Sequence, residues 1–173
     1  MIVIATEEDI PRILEIERDS ISPPWSHGAL LSEIYNDDSF FALSAGAQSR
    51  DIDAQTVGQS PSCAAVSLPA GAGTAKHGEV FGFIIMRRAA DEGELLQVAV
   101  DEHARRRGAA DGLMGAALGW ARGNGVKSVY LEVRKSNEAA IGLYGKHGFV
   151  RAGVRKGYYS GPDEDAVLMR REL

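Results

Sequence analysis

The sequence predicts an α/β fold, one mixed sheet with helices on both faces, and three observations carry that expectation. Apolar, strand-like runs interleave with helical periodicity in the order strand, two helices, three strands, helix, strand, helix, two strands. The length, 173 residues with 45% hydrophobic and 25% charged, is that of one domain whose core needs no staples. No internal repeat is visible that would turn the pattern into an array.

Each element has its own local reason. Met1 to Ala5 is a short apolar strand. Thr6 followed by Asp9 fits a helix cap, and Ile10, Ile13, Leu14 and Ile16 then recur at helical spacing. Ser22-Pro23-Pro24 breaks that helix, and Ser26 caps a second with Leu30, Leu31 and Ile34 facing inward. Phe40 to Ser44 reads as a strand. After a gap, Val80 to Arg87 is a strongly apolar strand, Asp91 to Gly93 a turn, and Glu94 to Val100 another strand. Gly108 to Gly123 is helical through Leu113, Met114, Ala117, Leu118 and Ala121, and Gly125 ends it. Ser128 to Arg134 is a strand, Asn137 to His147 a helix stopped at Gly148. Phe149 to Arg155 and Ala166 to Arg170 are the last strands.

The stretch from about Gly46 to Gly78 differs in composition, being rich in Ala, Gly, Ser and Gln. A structureless connection of this length is uncommon inside a domain, so it reads as a flexible surface insertion with Cys63 to Leu68 as a short strand candidate. Neither flank is large enough to fold well alone, so residues 1–173 are expected to form one domain.

Several classes of function are disfavoured at once. A net charge of -5 gives no general attraction to nucleic acid or anionic membrane. One cysteine, Cys63, excludes an intrachain disulfide and a multi-cysteine metal site. His27, His77, His103 and His147 lack paired zinc-site spacing, so no metal is expected. Glu7, Glu8 and Asp9 come too early for a signal peptide, and no apolar run approaches a membrane span. A cytoplasmic location is the expectation.

The most informative segment runs from Val98 to Ala110. A strand enters a basic, small-residue turn, Arg105-Arg106-Arg107-Gly108-Ala109-Ala110, that opens a helix. Main-chain N–H groups at a helix start lack internal partners, and the macrodipole favours an anion there. Small side chains let a pyrophosphate approach closely. From the residues alone, a solvated basic turn or a patch touching RNA is equally open. There is no Gly-Lys-Ser/Thr and no GxGxxG, so neither a P-loop nor a dinucleotide fingerprint is present.

That turn is similar to the Q/R-x-x-G-x-G/A acetyl-CoA motif of the GNAT superfamily of N-acetyltransferases, with alanine at Ala110 where many members have glycine. Leu131-Glu132-Val133-Arg134-Lys135-Ser136-Asn137, continuing through Ala140 to Leu143-Tyr144, resembles the L-E-V-R-x-S-N-x-x-A-x-x-L-Y run of ribosomal-protein-alanine acetyltransferases, the RimI family. Tyr158-Tyr159 with Glu164-Asp165-Ala166 and the early Pro24-Trp25-Ser26 resemble further signatures of that family. The likeness spans nearly the whole chain apart from the insertion, which is longer here than in short members. It implies the GNAT fold, a single mostly antiparallel sheet flanked by helices on both faces. It also implies acetyl-CoA as co-substrate. Val98, Ala99 and Val100 would then face the pantetheine arm, and residues 105 to 110 the pyrophosphate. The acceptor would be a protein N-terminus, namely the N-terminal alanine of a small-subunit ribosomal protein.

The chemistry assigns roles to particular residues. Moving an acetyl group from a thioester to an amine needs a neutral amine, a polarised carbonyl and a proton for the leaving thiol. An α-amine has a pKa of about 8, so a base removes one proton near neutrality, whereas a lysine amine near 10.4 is a harder acceptor. Glu132 alternates with Leu131 and Val133, and partial burial there would lift its carboxyl toward a useful range. On sequence alone it is equally a surface strand glutamate; the resemblance makes it the general base, directly or through a water. Tyr144 is a core aromatic on the same grounds and, by resemblance, the general acid. Asn137 suits a helix cap, and the resemblance adds a contact to CoA. A main-chain N–H in the bend after Leu96, near Val98, would stabilise the carbonyl oxygen. Trp25, Tyr158 and Tyr159 are candidate groove walls for the acceptor, or ordinary packing. Glu164 and Asp165 read as turn residues. The expected reaction is direct transfer in a ternary complex, with no covalent enzyme intermediate. The alternatives are acetylation of a small-molecule amine, a non-catalytic acetyl-CoA-binding module, or a nucleic-acid module resting on the arginines.

Overall fold

The computed structural model describes residues 1–21, 23–46 and 79–173. The expected insertion beyond Gly46, the Cys63 to Leu68 strand and Ser22 of the helix-breaking triplet lie outside the described residues. The elements follow the predicted order: β1 (Ile2–Ile4), α1 (Ile10–Ser20), α2 (His27–Ile34), β2 (Ser39–Ala45), β3 (Val80–Ala89) and β4 (Glu92–Val100), then α3 (Ala109–Gly123), β5 (Ser128–Arg134), α4 (Glu138–Lys146), β6 (Val150–Tyr159) and β7 (Glu164–Glu172). Among the described residues the strands form one sheet in the order β1-β2-β3-β4-β5-β7-β6. Each neighbouring pair is antiparallel except β4 with β5, which is parallel.

Helix ends follow the local signals. Thr6 and Asp9 form a capping box, which opens a single 3-10 turn over Glu7–Asp9 before α1 begins. Ser26 Oγ accepts the Ala29 N–H at 3.2 Å to start α2, and Asn137 Oδ1 accepts the Ala140 N–H at 3.1 Å to start α4. Gly125 and Gly148 take positive φ just past α3 and α4.

Each sheet face carries its own core. On one side Leu113, Met114, Ala117 and Leu118 of α3 pack on Ile84, Met86, Leu95, Leu131 and Val133, with Tyr144 and Phe149 beside them. On the other, Ile10, Ile13 and Ile16 of α1 and Leu30 of α2 pack on Phe41, Leu43, Phe83 and Ile85. Burial of each large aliphatic side chain contributes about 1.5–3 kcal/mol.

Three sequence expectations need correction. The β3–β4 turn is Ala90-Asp91, with Ala90 at φ 55°, so Gly93 belongs to the strand. There, a Cβ would meet Val126 Cγ1 at 3.2 Å and Val129 Cγ2 at 3.3 Å, so close packing rather than a turn asks for glycine. β6 extends to Tyr159, so the tyrosine pair sits on a strand end. β7 starts at Glu164, so Glu164 and Asp165 are strand residues held by side-chain bonds described below.

Candidate active site

β4 and β5 start together and then part. Their parallel pairing runs from Glu92↔Ser128 to Leu95↔Leu131 and stops, although β4 continues to Val100 and β5 to Arg134. The cause lies on the other edge of β4, where Ile85 pairs with Gln97 but Met86 pairs with Leu95, leaving Leu96 as the extra residue of a bulge. Leu96 and Gln97 therefore both face α1, whereas Leu95, Val98 and Val100 face α3. Asp101 N–H donates to Phe81 O, which makes Val100 opposite Gly82 a non-hydrogen-bonded pair. By the same alternation Val98 and Val100 aim their main-chain groups away from β3, into the space that β5 has left. The expected bend after Leu96 is this bulge. Ala99, grouped with those valines in the sequence reading, turns its side chain into the α1 core and its main chain to β3, and is not brought to the opening.

The basic turn sits at the same end of β4. Gly108 at φ 84° caps α3 without a side-chain bond to the helix start, and a Cβ there would meet nothing within 4 Å. The first amides of α3, Ala109 and Ala110 among them, are left as free donors. Asp111, in the first turn, is drawn aside by Lys146 and His147 at the end of α4, and Lys146 holds its carboxyl below the usual range. Arg106 occupies left-handed backbone at φ 63°, a strain of about 1–2 kcal/mol for a residue with a Cβ. Arg105 is committed elsewhere: it donates to Val100 O at 3.0 Å and to Ser20 Oγ at 3.2 Å, stapling the turn to β4 and α1. Arg106 and Arg107 have no ion-pair partner among the described residues. A cavity of about 500 Å³ lined by Met1, Ser44, Phe81, Arg107 and Gly108 lies on the β1–β2 side of the turn, away from Glu132.

Glu132 is the first β5 residue past the last β4 pair. Its neighbours Leu131 and Val133 are buried on the α4 side, so its carboxylate projects from the opposite face, with 22% of the side chain exposed. Arg155 of β6 lies 2.9 Å from Glu132 Oε1, and the Tyr158 hydroxyl hydrogen-bonds Glu132, which holds that phenol above its ordinary pKa. The Tyr159 ring meets Tyr158 edge-on at 5.0 Å, and Arg134 stacks over it at 4.3 Å. Burial, then the Glu132 charge, raises the Tyr159 phenol. Tyr144 is on the other side of the sheet, 7% exposed against Phe149, with no hydrogen-bond partner among the described residues. Burial pushes its phenol far above the ordinary range, so it stays protonated at any working pH. Acid and base candidates thus flank the gap from opposite faces.

Glu164 and Asp165 brace this arrangement. Glu164 accepts the Ser136 N–H, which with the Arg134 contact at 3.3 Å holds its carboxyl below the usual range. Asp165 Oδ1 accepts the Gly157 N–H at 3.0 Å and its carbonyl accepts from Lys135. Together they fix the turn before Asn137 and the end of the tyrosine strand.

Trp25 precedes the Ser26 cap of α2 and lines a cavity of about 380 Å³ with Ser26, Ala29, Ser32, Glu33 and Arg87. Arg87 pairs in register with Glu94, whose charge acts on both Arg87 and Tyr158. The Trp25 cavity and the Glu132–Tyr158 pair therefore share one sheet face. Residues absent from the sequence reading are Arg155, Gln97 and two buried carboxylates, Glu17 and Glu33. Glu33 binds Ser39 Oγ at 2.8 Å and pairs with Arg87. For the glutamates a signal existed: Glu17 falls four residues after Ile13 and Glu33 three after Leu30, on the inward stripe of each helix.

The chain's own groups fit an extended thioester cofactor: main-chain groups of Val98 and the Val100 N–H aimed away from β3, free amides at Ala109 and Ala110, and a gap leading to Glu132. Among the described residues no group of three His, Cys, Asp or Glu side chains could hold a metal, and no helix is long and apolar enough to cross a membrane.

Comparison with known proteins agrees. The chain is 29% identical over 172 residues, 98% of its length and 97% of the relative's, to the [ribosomal protein bS18]-alanine N-acetyltransferase of Haemophilus ducreyi. It is 38% identical over 96 residues, 54% of this chain and 65% of the relative, to the corresponding enzyme of Escherichia coli K12. Among solved structures it resembles the Escherichia coli ribosomal-protein-S18-alanine N-acetyltransferase (TM-score 0.75, 26% identity, 100% of this chain and 93% of that one). Ard1 from Thermoplasma volcanium is similarly near (TM-score 0.76, 26% identity, 100% and 97%). The profile of the acetyltransferase (GNAT) family matches residues 12–149, a span that takes in every element bordering the gap between β4 and β5 up to α4, and the chain therefore belongs to that family.

Proposed function

We propose that the protein acetylates the α-amine of a protein N-terminus, with the N-terminal alanine of a small-subunit ribosomal protein as acceptor, in the cytoplasm. The observation that carries this reading is the site of Glu132. Its carboxylate stands where β4 and β5 part, bonded to Tyr158, on a face shared with Trp25. The full-length likeness to the Haemophilus ducreyi enzyme supports the choice of acceptor.

Acetyl-CoA, when bound, supplies the acyl group as a thioester. The Arg106–Ala110 turn holds its diphosphate on free helix-start amides, and Val98 and Val100 hydrogen-bond the pantetheine arm. Asn137, besides capping α4, sits where the β5–α4 turn meets the cofactor. The acceptor enters from the opposite face between Trp25 and the Tyr158–Tyr159 strand end. Glu132 takes the proton of the α-amine, directly or through one water, as the new N–C bond forms. A main-chain N–H at the bulge, near Val98, bonds the carbonyl oxygen as charge develops on it. The C–S bond breaks, and Tyr144 gives its proton to the departing sulfur. Transfer is direct, with no acyl group on the enzyme.

The test is an acceptor panel: alanine-starting peptides, peptides with other first residues, and small amines, each with acetyl-CoA. Preferred turnover of alanine-starting peptides is expected. Turnover confined to small amines would replace the peptide reading with small-molecule acetylation, and acetyl-CoA binding without turnover would leave only a binding module.

A further inference from the structure

Glu17 is a fully buried carboxylate whose cost is not recovered by full pairing. Its Oε1 accepts the Trp25 N–H at 3.0 Å and Gln97 Nε2 at 2.8 Å, while Glu17 Oε2 and Gln97 Oε1 are sealed without partners. Removing a charge from water costs several kcal/mol, and an aliphatic side chain would fill this stripe beside Ile13 and Ile16 without that penalty. Core stability therefore does not explain the residue.

Connectivity does. One oxygen atom joins α1, the main chain of the segment that carries Trp25, and β4 at Gln97, the residue next to the Leu96 bulge. The ends of that link are the acceptor wall and the strand whose displacement opens the gap. The second helix of the hairpin is tied elsewhere, through Glu33 to Ser39 and Arg87, so Glu33 does not duplicate the connection to β4.

We propose that Glu17 is a positioning residue for the acceptor: through Oε1 it holds the Trp25 wall in register with the β4 bulge, fixing where the amine sits relative to the thioester. The proposal deepens the functional reading above and rests on it. What it requires is the hydrogen-bond geometry of the carboxylate, not its charge, because an amide would keep one oxygen to accept from the Trp25 N–H and Gln97 Nε2.

The test uses the full chain with Glu17→Ala, Glu17→Gln and Gln97→Ala, varying an alanine-starting peptide. In Glu17→Ala the KM for peptide should rise about tenfold or more while kcat changes far less and the acetyl-CoA Kd by calorimetry stays put. Glu17→Gln should restore the KM, and Gln97→Ala, which cuts only the strand side, should give an intermediate rise. A folded Glu17→Ala with unchanged peptide KM overturns the proposal. So does a Glu17→Gln as damaged as the alanine variant, since charge rather than geometry would then be at stake. If Glu17→Ala does not fold, Gln97→Ala decides, and an unchanged KM there is the overturning result. Hydrogen exchange at the Trp25 amide, fast in Glu17→Ala and slow in Glu17→Gln, reads the link without any acceptor. A wild-type protein that acetylates only small amines would defeat the peptide function while leaving that exchange result to judge Glu17.

Discussion

Replacing Tyr144 with phenylalanine removes one oxygen, and catalysis should fall while stability stays nearly unchanged. The phenol is 7% exposed, and its hydroxyl has no hydrogen-bond partner among the described residues. The hydroxyl is not among the described polar atoms sealed without a partner, so it keeps contact with solvent, and deleting it should leave stability within about 0.5 kcal/mol. For a domain of this size each kcal/mol shifts Tm by about 2–4 °C. Catalysis should suffer. An ordinary phenol titrates near 10 and a thiol near 8.5, so protonating a solvated thiolate from this side chain is uphill by about 2 kcal/mol before burial raises the phenol further. A thiolate expelled into the same apolar space is desolvated too, and its own pKa rises in step. The two effects offset, and donation remains worth about 10²-fold, the low end for a general acid. Thiol release followed with a chromogenic disulfide gives kcat and kcat/KM, which should fall together if the bond is made only in the transition state. Unchanged kcat with a Tm several degrees lower would refute the reasoning, because the hydroxyl would then be structural.

Other perturbations probe separate steps. Glu132→Gln should lower turnover by about 10²-fold or more while calorimetry finds acetyl-CoA affinity nearly intact; unchanged turnover would remove Glu132 from the mechanism. At Gly82 an added Cβ would lie 2.6 Å from the Ala99 carbonyl oxygen, so Gly82→Ala should lower Tm by roughly 2–12 °C through overpacking of the β3–β4 ladder. The Glu164 carboxyl is depressed chiefly by the Ser136 N–H, so its stabilisation is complete above the ordinary carboxylate range and is lost as pH falls through the lowered value. Acid titration of Glu164→Gln by circular dichroism should show a flatter stability loss below about pH 4 than the parent.

Periodicity made the order of elements legible because each helix buries a stripe and each central strand a face. It failed within β4. Strict alternation from Leu95 would group Leu95 with Gln97 and Ala99, whereas the structure groups Leu95 with Val98 and Val100. One bulge at Leu96 inverts the phase, and nothing in Glu-Leu-Leu-Gln-Val-Ala-Val announces it. Roles for Glu132 and Tyr144 came from motif resemblance, since their surroundings come from elements distant in sequence: Arg155 and Tyr158 on β6, Phe149 beyond α4. Arg105 shows the converse hazard. Three consecutive arginines look alike in sequence, yet the first is spent on Val100 and Ser20.

The gap and the free helix-start amides beside it follow from one topological choice. In a sheet otherwise antiparallel, β4 and β5 run parallel, and a parallel pair cannot be closed by a tight turn. A crossover is required, and α3 supplies it, so the start of a helix must fall just beyond the carboxyl end of β4. That is also where the pair separates, because β5 stays with β7 along its whole length, Ser128↔Glu172 to Arg134↔Ala166, while β4 stays with β3 through the bulge. Each strand keeps the partner that offers continuous pairing, and the strain is released between them. Main-chain groups of β4 aimed away from β3, free amides on α3 and the first β5 side chain beyond the last β4 pair are thus brought to one place by backbone geometry. On the proposed mechanism that last position is where the general base belongs, and the residue there is Glu132.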